Sequence, residues 1–161
     1  MKAILAPVDF SRVSRRVVDE AIEIARTINA RLVLMHAVQP PSVVTDLAPL
    51  VGEALQFTAE VDRRARLHLQ RWQRNLMKRG ITVETVCEQG FPVPLILACA
   101  QRIGASYIVL GSHGHTAFYD LVVGSTASGV LKRATCPVIV VPSQRKEKAG
   151  TIRRRGSPPP A

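Results

Sequence analysis

Five short apolar runs lie along the chain, separated by stretches whose apolar residues recur three and four apart. Lys2–Val8 is nearly all apolar and ends at Asp9, the pattern of a strand buried on both faces. Ser11 and Ser14 then offer N-caps for a helix whose stripe is Val17, Val18, Ala21, Ile24, Ala25 and Ile28. Arg31–Val38 (RLVLMHAV) reads as a second buried strand, closed by Pro40-Pro41, which open a loop at about residues 40–50. From Glu53 to Lys78 a long helical pattern carries Leu55, Ala59, Val61, Ala65, Leu69, Trp72 and Leu76, and Gly80 stops it. Ile81–Cys87 alternates apolar and polar as an edge strand does. Gly90-Phe91-Pro92 turns the chain into a helix over Val93–Arg102, ended by Gly104. Ala105–Leu110 (ASYIVL) is a further buried strand, followed at once by a glycine-rich loop. A last helix over Ser125–Arg133 precedes the apolar strand Pro137–Val141.

The order β-α-β-α-β-α-β-α-β implies parallel strands joined by right-handed crossovers. That is an α/β fold: an open, twisted, five-stranded parallel sheet with helices on both faces. The apolar final run should form one edge of that sheet, and an uncovered apolar edge invites aggregation. Antiparallel pairing with the same strand of a second copy satisfies the edge and buries Val138, Ile139, Val140 or Val141 across a two-fold axis. A homodimer through Pro137–Val141 is therefore expected.

Composition narrows the picture. The 161 residues are 47% hydrophobic and 21% charged, ordinary for one compact domain. No run approaches the roughly 18 apolar residues that span a bilayer, and the N-terminal run is too short for a secretory leader, so a cytoplasmic protein without a membrane partner is expected. Cys87, Cys99 and Cys136 are widely spaced and read as small hydrophobes in a reducing compartment. Half of the +10 net charge belongs to residues 144–161, where Arg145, Lys146, Lys148, Arg153, Arg154 and Arg155 face only Glu147. That segment ends in three prolines and cannot build a core. The expected organisation is thus a domain over residues 1–142 and a basic, flexible tail over 143–161.

In open α/β sheets, ligands bind beyond the carboxyl ends of the strands, where strand order reverses. Three such ends carry informative residues: Pro7-Val8-Asp9, His36-Ala37-Val38 and Gly111-Ser112-His113-Gly114. Beyond nine intervening residues after Gly114, Gly124-Ser125-Thr126 opens the final helix. Glycines let backbone N–H groups approach an anion, and a helix start adds unpaired donors, so the arrangement suits a phosphate chain. A P-loop is absent, since no Gly-Lys-[Ser/Thr] follows a glycine run, and so is the Gly-x-Gly-x-x-Gly fingerprint after the first strand.

The string GSHGHTAFYDLVVGSTASGVLKRATCPVIVVP at residues 111–142 resembles the nucleotide-binding signature of the universal stress protein family. That signature runs Gly, two residues, Gly, nine residues, Gly, then Ser or Thr, and Gly111, Gly114, Gly124 and Ser125 fit every fixed place. ILAPVDFS at residues 4–11 and LMHAV at residues 34–38 resemble the family's other recurring segments. The resemblance implies a Rossmann-like fold of the adenine nucleotide alpha hydrolase type, and it places the chain with the ATP-binding members. It implies ATP as ligand, with Mg²⁺ (or Mn²⁺) held through the phosphates, a homodimer, and a role in stress response or regulation. Pro7 and Asp9 match positions that hold adenine and ribose, Ala37 a backbone contact to adenine, and Gly111, Gly114, Gly124, Ser125 and Thr126 the ribose and triphosphate contacts. Ser112, His113 and His115 belong to the same loop, His113 through its backbone. His115 stands where a lysine or arginine is often found, which weakens one phosphate contact, while Thr126 acts through its N–H.

Rival readings attach to the same residues. Asp9 also suits a cap for the turn that follows it, and His36 reads as a packed core histidine rather than a ligand. His113 and His115 have no further partners in sequence that would make a zinc site. No Ser-His-Asp elbow appears, and no lysine or arginine sits in the glycine loop to stabilise developing charge. An ATPase or phosphotransferase is the enzymatic alternative, with slow hydrolysis at most. Nucleic-acid binding through the tail is the other. At 4% aromatic residues it would be weak and salt-sensitive. Arg63, Arg64, Arg66, Arg71 and Arg74 read as the solvated face of an amphipathic helix.

Overall fold

A computed structural model of the chain describes residues 2–39, 51–112 and 123–143, side chains of residues 51–57 excepted. Its elements run β1 (Ala3–Pro7), α1 (Arg12–Thr27), β2 (Arg31–Val38), α2 (Val51–Lys78), β3 (Val83–Gln89), α3 (Pro92–Ile103), β4 (Ala105–Gly111), α4 (Ser125–Leu131) and β5 (Val138–Val141). The strands form one sheet in the order β3-β2-β1-β4-β5, every pair parallel. The fold is the open α/β sheet that the alternation of strand and helix implies.

Successive side chains on a strand point to opposite faces, and the core divides accordingly. Ile4, Ala6, Leu32, Leu34 and Val109 face α1 and α2, packing on Val17, Ala21, Ile22 and Leu69. Leu5, Val33, Met35, Ile108 and Leu110 face α3 and α4, packing on Ile96, Cys99 and Val130. Crossovers from β1 and β2 therefore use one face, and those from β3 and β4 the other. The reversal falls between β1 and β4, and a crevice opens there at the carboxyl ends of the strands. On the second face α3 and α4 approach closely at Gly129, where an added Cβ would lie 2.8 Å from a Val93 methyl carbon.

Helix ends account for most differences from the sequence reading. After α2, Gly80 sits at φ +74°, its N–H bonded to the Met77 carbonyl, while the Ile81 N–H reaches the Leu76 carbonyl. This Schellman closure commits Ile81 to the cap, with its side chain in the core beside Leu76, so β3 starts at Val83. Asn29 (φ +52°) plays the glycine role after α1, with the Ala30 N–H bonded to the Ala25 carbonyl. Gly104 (φ +60°) closes α3 as expected.

At the far edge, β5 begins at Val138, one residue later than expected, although the Pro137 carbonyl still accepts from the Ile108 N–H. Val141 is 3% exposed and belongs to the chain's own core, so it is not available to a second copy.

Candidate functional site

Between Pro7 and Arg12 the chain leaves β1 and enters α1 through a tight turn. Phe10 holds φ +62°, a left-handed conformation that costs a bulky residue roughly 1–2 kcal/mol. Its ring is packed between His36 and His68, at centroid distances of 4.5 and 4.6 Å, with the Trp72 ring edge-on at 5.8 Å. Because Phe10 turns this way, Ser11 comes back toward Asp9, and the Ser11 N–H donates to Asp9 Oδ1 at 2.9 Å. The Ser14 hydroxyl donates to the same oxygen at 2.7 Å and accepts from the Asp9 N–H at 3.1 Å. Asp9 thus caps the turn, as its rival reading held, and it also borders the crevice.

On the neighbouring strand, His36 Nδ1 lies 2.7 Å from the Val8 carbonyl oxygen. An acceptor oxygen requires a proton on Nδ1, which fixes the neutral tautomer. Burial lowers the His36 pKa below its ordinary 6.5, and His68 adds to the lowering, while the Val8 carbonyl and the Asp9 and Asp62 charges oppose it. His36 is half-buried and borders the crevice as well, so it is packed and accessible at once.

Beyond β4, Ser112 joins three segments. Its N–H donates to the Val141 carbonyl (2.8 Å), its carbonyl accepts from the Gly124 N–H (2.7 Å), and its hydroxyl accepts from the Ser143 N–H (3.2 Å). The two ends of the glycine loop are therefore tied together beside the end of β5. Arg16 Nη1 donates to the Pro142 carbonyl, on the other side of the same peptide unit whose N–H reaches Ser112. A guanidinium consequently stands one peptide plane from the cleft wall, a cation that no spacing in the glycine loop announced. The Ser125, Thr126 and Ala127 N–H groups begin α4 and, as in any helix, have no carbonyl behind them within it.

These pieces enclose a cleft of about 530 Å³, within the roughly 300–1,000 Å³ typical of small-ligand sites. Pro7, Asp9, Ala37, Gly111, Ser112, Gly124, Ser125 and Thr126, eight candidates picked from sequence, all line it. His113, Gly114 and His115 lie outside the described residues. Sequence reasoning missed Ser14, Gln39, Val61 of α2, and Pro92 and Ile96 of α3, which complete the walls. Only Pro92 had a signal, the turn that opens α3. Among the described lining residues Asp9 is the one carboxylate, and none is a lysine or arginine. Polar groups lie at the strand ends and the start of α4, while Val13, Val17, Met35 and Ile96 supply apolar wall. Such a cleft can hold a flat apolar group at one end and an anion on backbone donors at the other.

Other candidate chemistry fades on inspection. The Cys87 thiol is pushed up to about 11 by burial, with the Asp62 charge acting in the same direction, so it stays protonated and unreactive. Among the described residues no three His, Cys, Asp or Glu side chains converge as a metal site. No described helix is long and apolar enough to cross a membrane.

Fold and cleft together define a small α/β protein with a cleft at the switch point of a parallel sheet. More narrowly, the chain belongs to the universal stress protein family, which it matches over residues 1–142. It is 29% identical over 151 residues to universal stress protein MJ0531 of Methanocaldococcus jannaschii, covering 91% of this chain and 85% of that one. It is 30% identical over 143 residues to universal stress protein A homolog 1 of Coxiella burnetii, covering 87% and 95%. The structure of universal stress protein UspA from Lactobacillus plantarum superposes with a TM-score of 0.76 at 26% identity, over 87% of this chain and 97% of that one.

Proposed function

We propose that this protein is an ATP-binding universal stress protein of the cytoplasm, a regulatory nucleotide-binding module whose hydrolysis is slow at most. The observation that carries the reading is convergence. Residues from Pro7 to Ala127, far apart in sequence, form one cleft of suitable size at the switch point. Asp9 and the Ala37 backbone would receive the nucleoside. The glycine loop and the Ser125 and Thr126 N–H groups would receive the phosphates, which carry Mg²⁺ (or Mn²⁺) with them. Without a lysine or arginine among the described lining residues, there is little to stabilise charge developing on a transferred phosphoryl group, which favours binding over turnover. The nucleic-acid alternative rests on the basic tail; on α2, Arg63 and Arg64 pair with Glu60 and Arg66 pairs with Asp62, as on a solvated helix face. Assembly as a homodimer through β5 belongs to the same proposal.

Calorimetric titration with Mg²⁺–ATP tests the reading. Gly124 has φ −58° and ψ 158°, which valine also adopts, so Gly124→Val leaves the backbone unstrained and fills the phosphate end of the cleft. The parent should bind ATP and the variant should lose at least tenfold in affinity with circular dichroism unchanged. Equal affinities would remove the phosphate end from this cleft.

A further inference from the structure

Ser14 is the third residue of α1 and is 2% exposed, the one buried polar or charged side chain among the described residues. Its position on the helix is where alanine would be favoured twice over, once for helix propensity and once for burial without a polar atom. Yet its hydroxyl is fully engaged: it donates to Asp9 Oδ1 at 2.7 Å and accepts from the Asp9 N–H at 3.1 Å. Ser11 is the residue in N-cap position, and its own hydroxyl makes no cap bond, so Ser14 is not serving as a helix cap. Both of its bonds go to one residue, five positions earlier and on the other side of the left-handed Phe10. Asp9 and Ser14 both line the cleft.

We propose that Ser14 is a positioning residue that fixes the Asp9 carboxylate in the orientation in which it meets the ligand, an inference that rests on the nucleotide-binding reading. With one carboxylate oxygen held by both the Ser14 hydroxyl and the Ser11 N–H, Asp9 enters the cleft with its rotamer already chosen. Binding then pays little to order it, and this lowers the dissociation constant without Ser14 needing to touch the ligand. The tie of Asp9 N–H to the same hydroxyl fixes the backbone from which the carboxylate projects, so side chain and main chain are set by a single atom.

The experiment is a double-mutant cycle on the full chain, read by Mg²⁺–ATP affinity, with amide hydrogen exchange of the unliganded proteins alongside. Ser14→Ala should bind Mg²⁺–ATP roughly three- to tenfold more weakly than the parent, the cost of ordering one side chain. In an Asp9→Ala background, adding Ser14→Ala should weaken binding no further, because the hydroxyl then holds only the backbone N–H of residue 9 and has no carboxylate left to position. A purely structural role would weaken both backgrounds alike. Exchange at the Asp9 amide should quicken in Ser14→Ala while Leu5 and Ala6 of β1 keep their protection. Parental affinity in Ser14→Ala, or additive losses in the double variant, would overturn the proposal. A parent that fails to bind Mg²⁺–ATP would overturn the nucleotide reading and this role with it. The Asp9 amide would then still report whether the hydroxyl holds the turn, so the two failures are told apart.

Discussion

His36 carries the pH behaviour of the cleft. Its folded pKa lies below 6.5 chiefly because burial penalises the imidazolium. Above pH 6.5 the ring is neutral in folded and unfolded chains alike, and its contribution to stability is fully present. As pH falls below 6.5 the unfolded chain takes up the proton first, so stability declines until the folded ring is protonated too. Asparagine can donate to the Val8 carbonyl without titrating. The melting temperature of the parent should therefore fall on acidification from about pH 7 to about pH 5, and His36→Asn should flatten that fall. Equal slopes in both proteins would remove His36 from the account. Glu60 is held down to about 2 by hydrogen bonds from Arg63 and Arg64, and Asp62 is lowered chiefly by its bond from Arg66. Both carboxylates lose their contributions as pH falls below the ordinary carboxyl range, outside that window. At this scale Asp9 and Ala37 were legible because each lies near the carboxyl end of a buried strand, inside a recognisable segment. Ser14 was not, since a serine near a helix start reads as a cap, and its partner is visible only once Phe10 turns the chain left-handed. Arg16 was hidden for a similar reason: its bond to Pro142 spans 126 positions.

Strands and helices were legible almost throughout, because buried parallel strands are short apolar runs and their covering helices carry a stripe at helical spacing. Boundaries moved where backbone hydrogen bonds overrode pattern, as when the cap of α2 took Ile81 out of β3. β5 shows what pattern leaves out. All four of its residues are apolar, but the ladder decides which of them look inward. The Pro137 and Val141 carbonyls both accept from β4 and its extension, so the odd-numbered residues turn their backbone groups toward β4. Val138 and Val140 then direct theirs to the open edge. A proline at 140 removes an outward N–H and leaves the inner ladder intact, whereas a charge at the buried Val141 would strike the core. If β5 pairs with a second copy, sedimentation should show a dimer for the parent and a folded monomer for Val140→Pro. A monomeric parent at tens of micromolar, or a dimeric variant, would exclude this edge as the interface.

Across the whole molecule, sheet order converts scattered segments into one cleft. Placing β1 between β2 and β4 sets Asp9 beside Ala37 on one flank and Gly111 and Ser112 on the other. The start of α4 closes the far end because the Ser112 carbonyl holds the Gly124 N–H. The most direct test is a residue-resolved map of ATP binding by two-dimensional NMR of the full chain titrated with Mg²⁺–ATP. Saturable amide shifts should concentrate at Val8, Asp9, Ala37, Gly111, Ser112 and Gly124 to Ala127, with α2 beyond Leu69 and the outer edge of β3 unmoved. Shifts that fall elsewhere, or none at millimolar ATP, would contradict the assignment of this cleft as a nucleotide site.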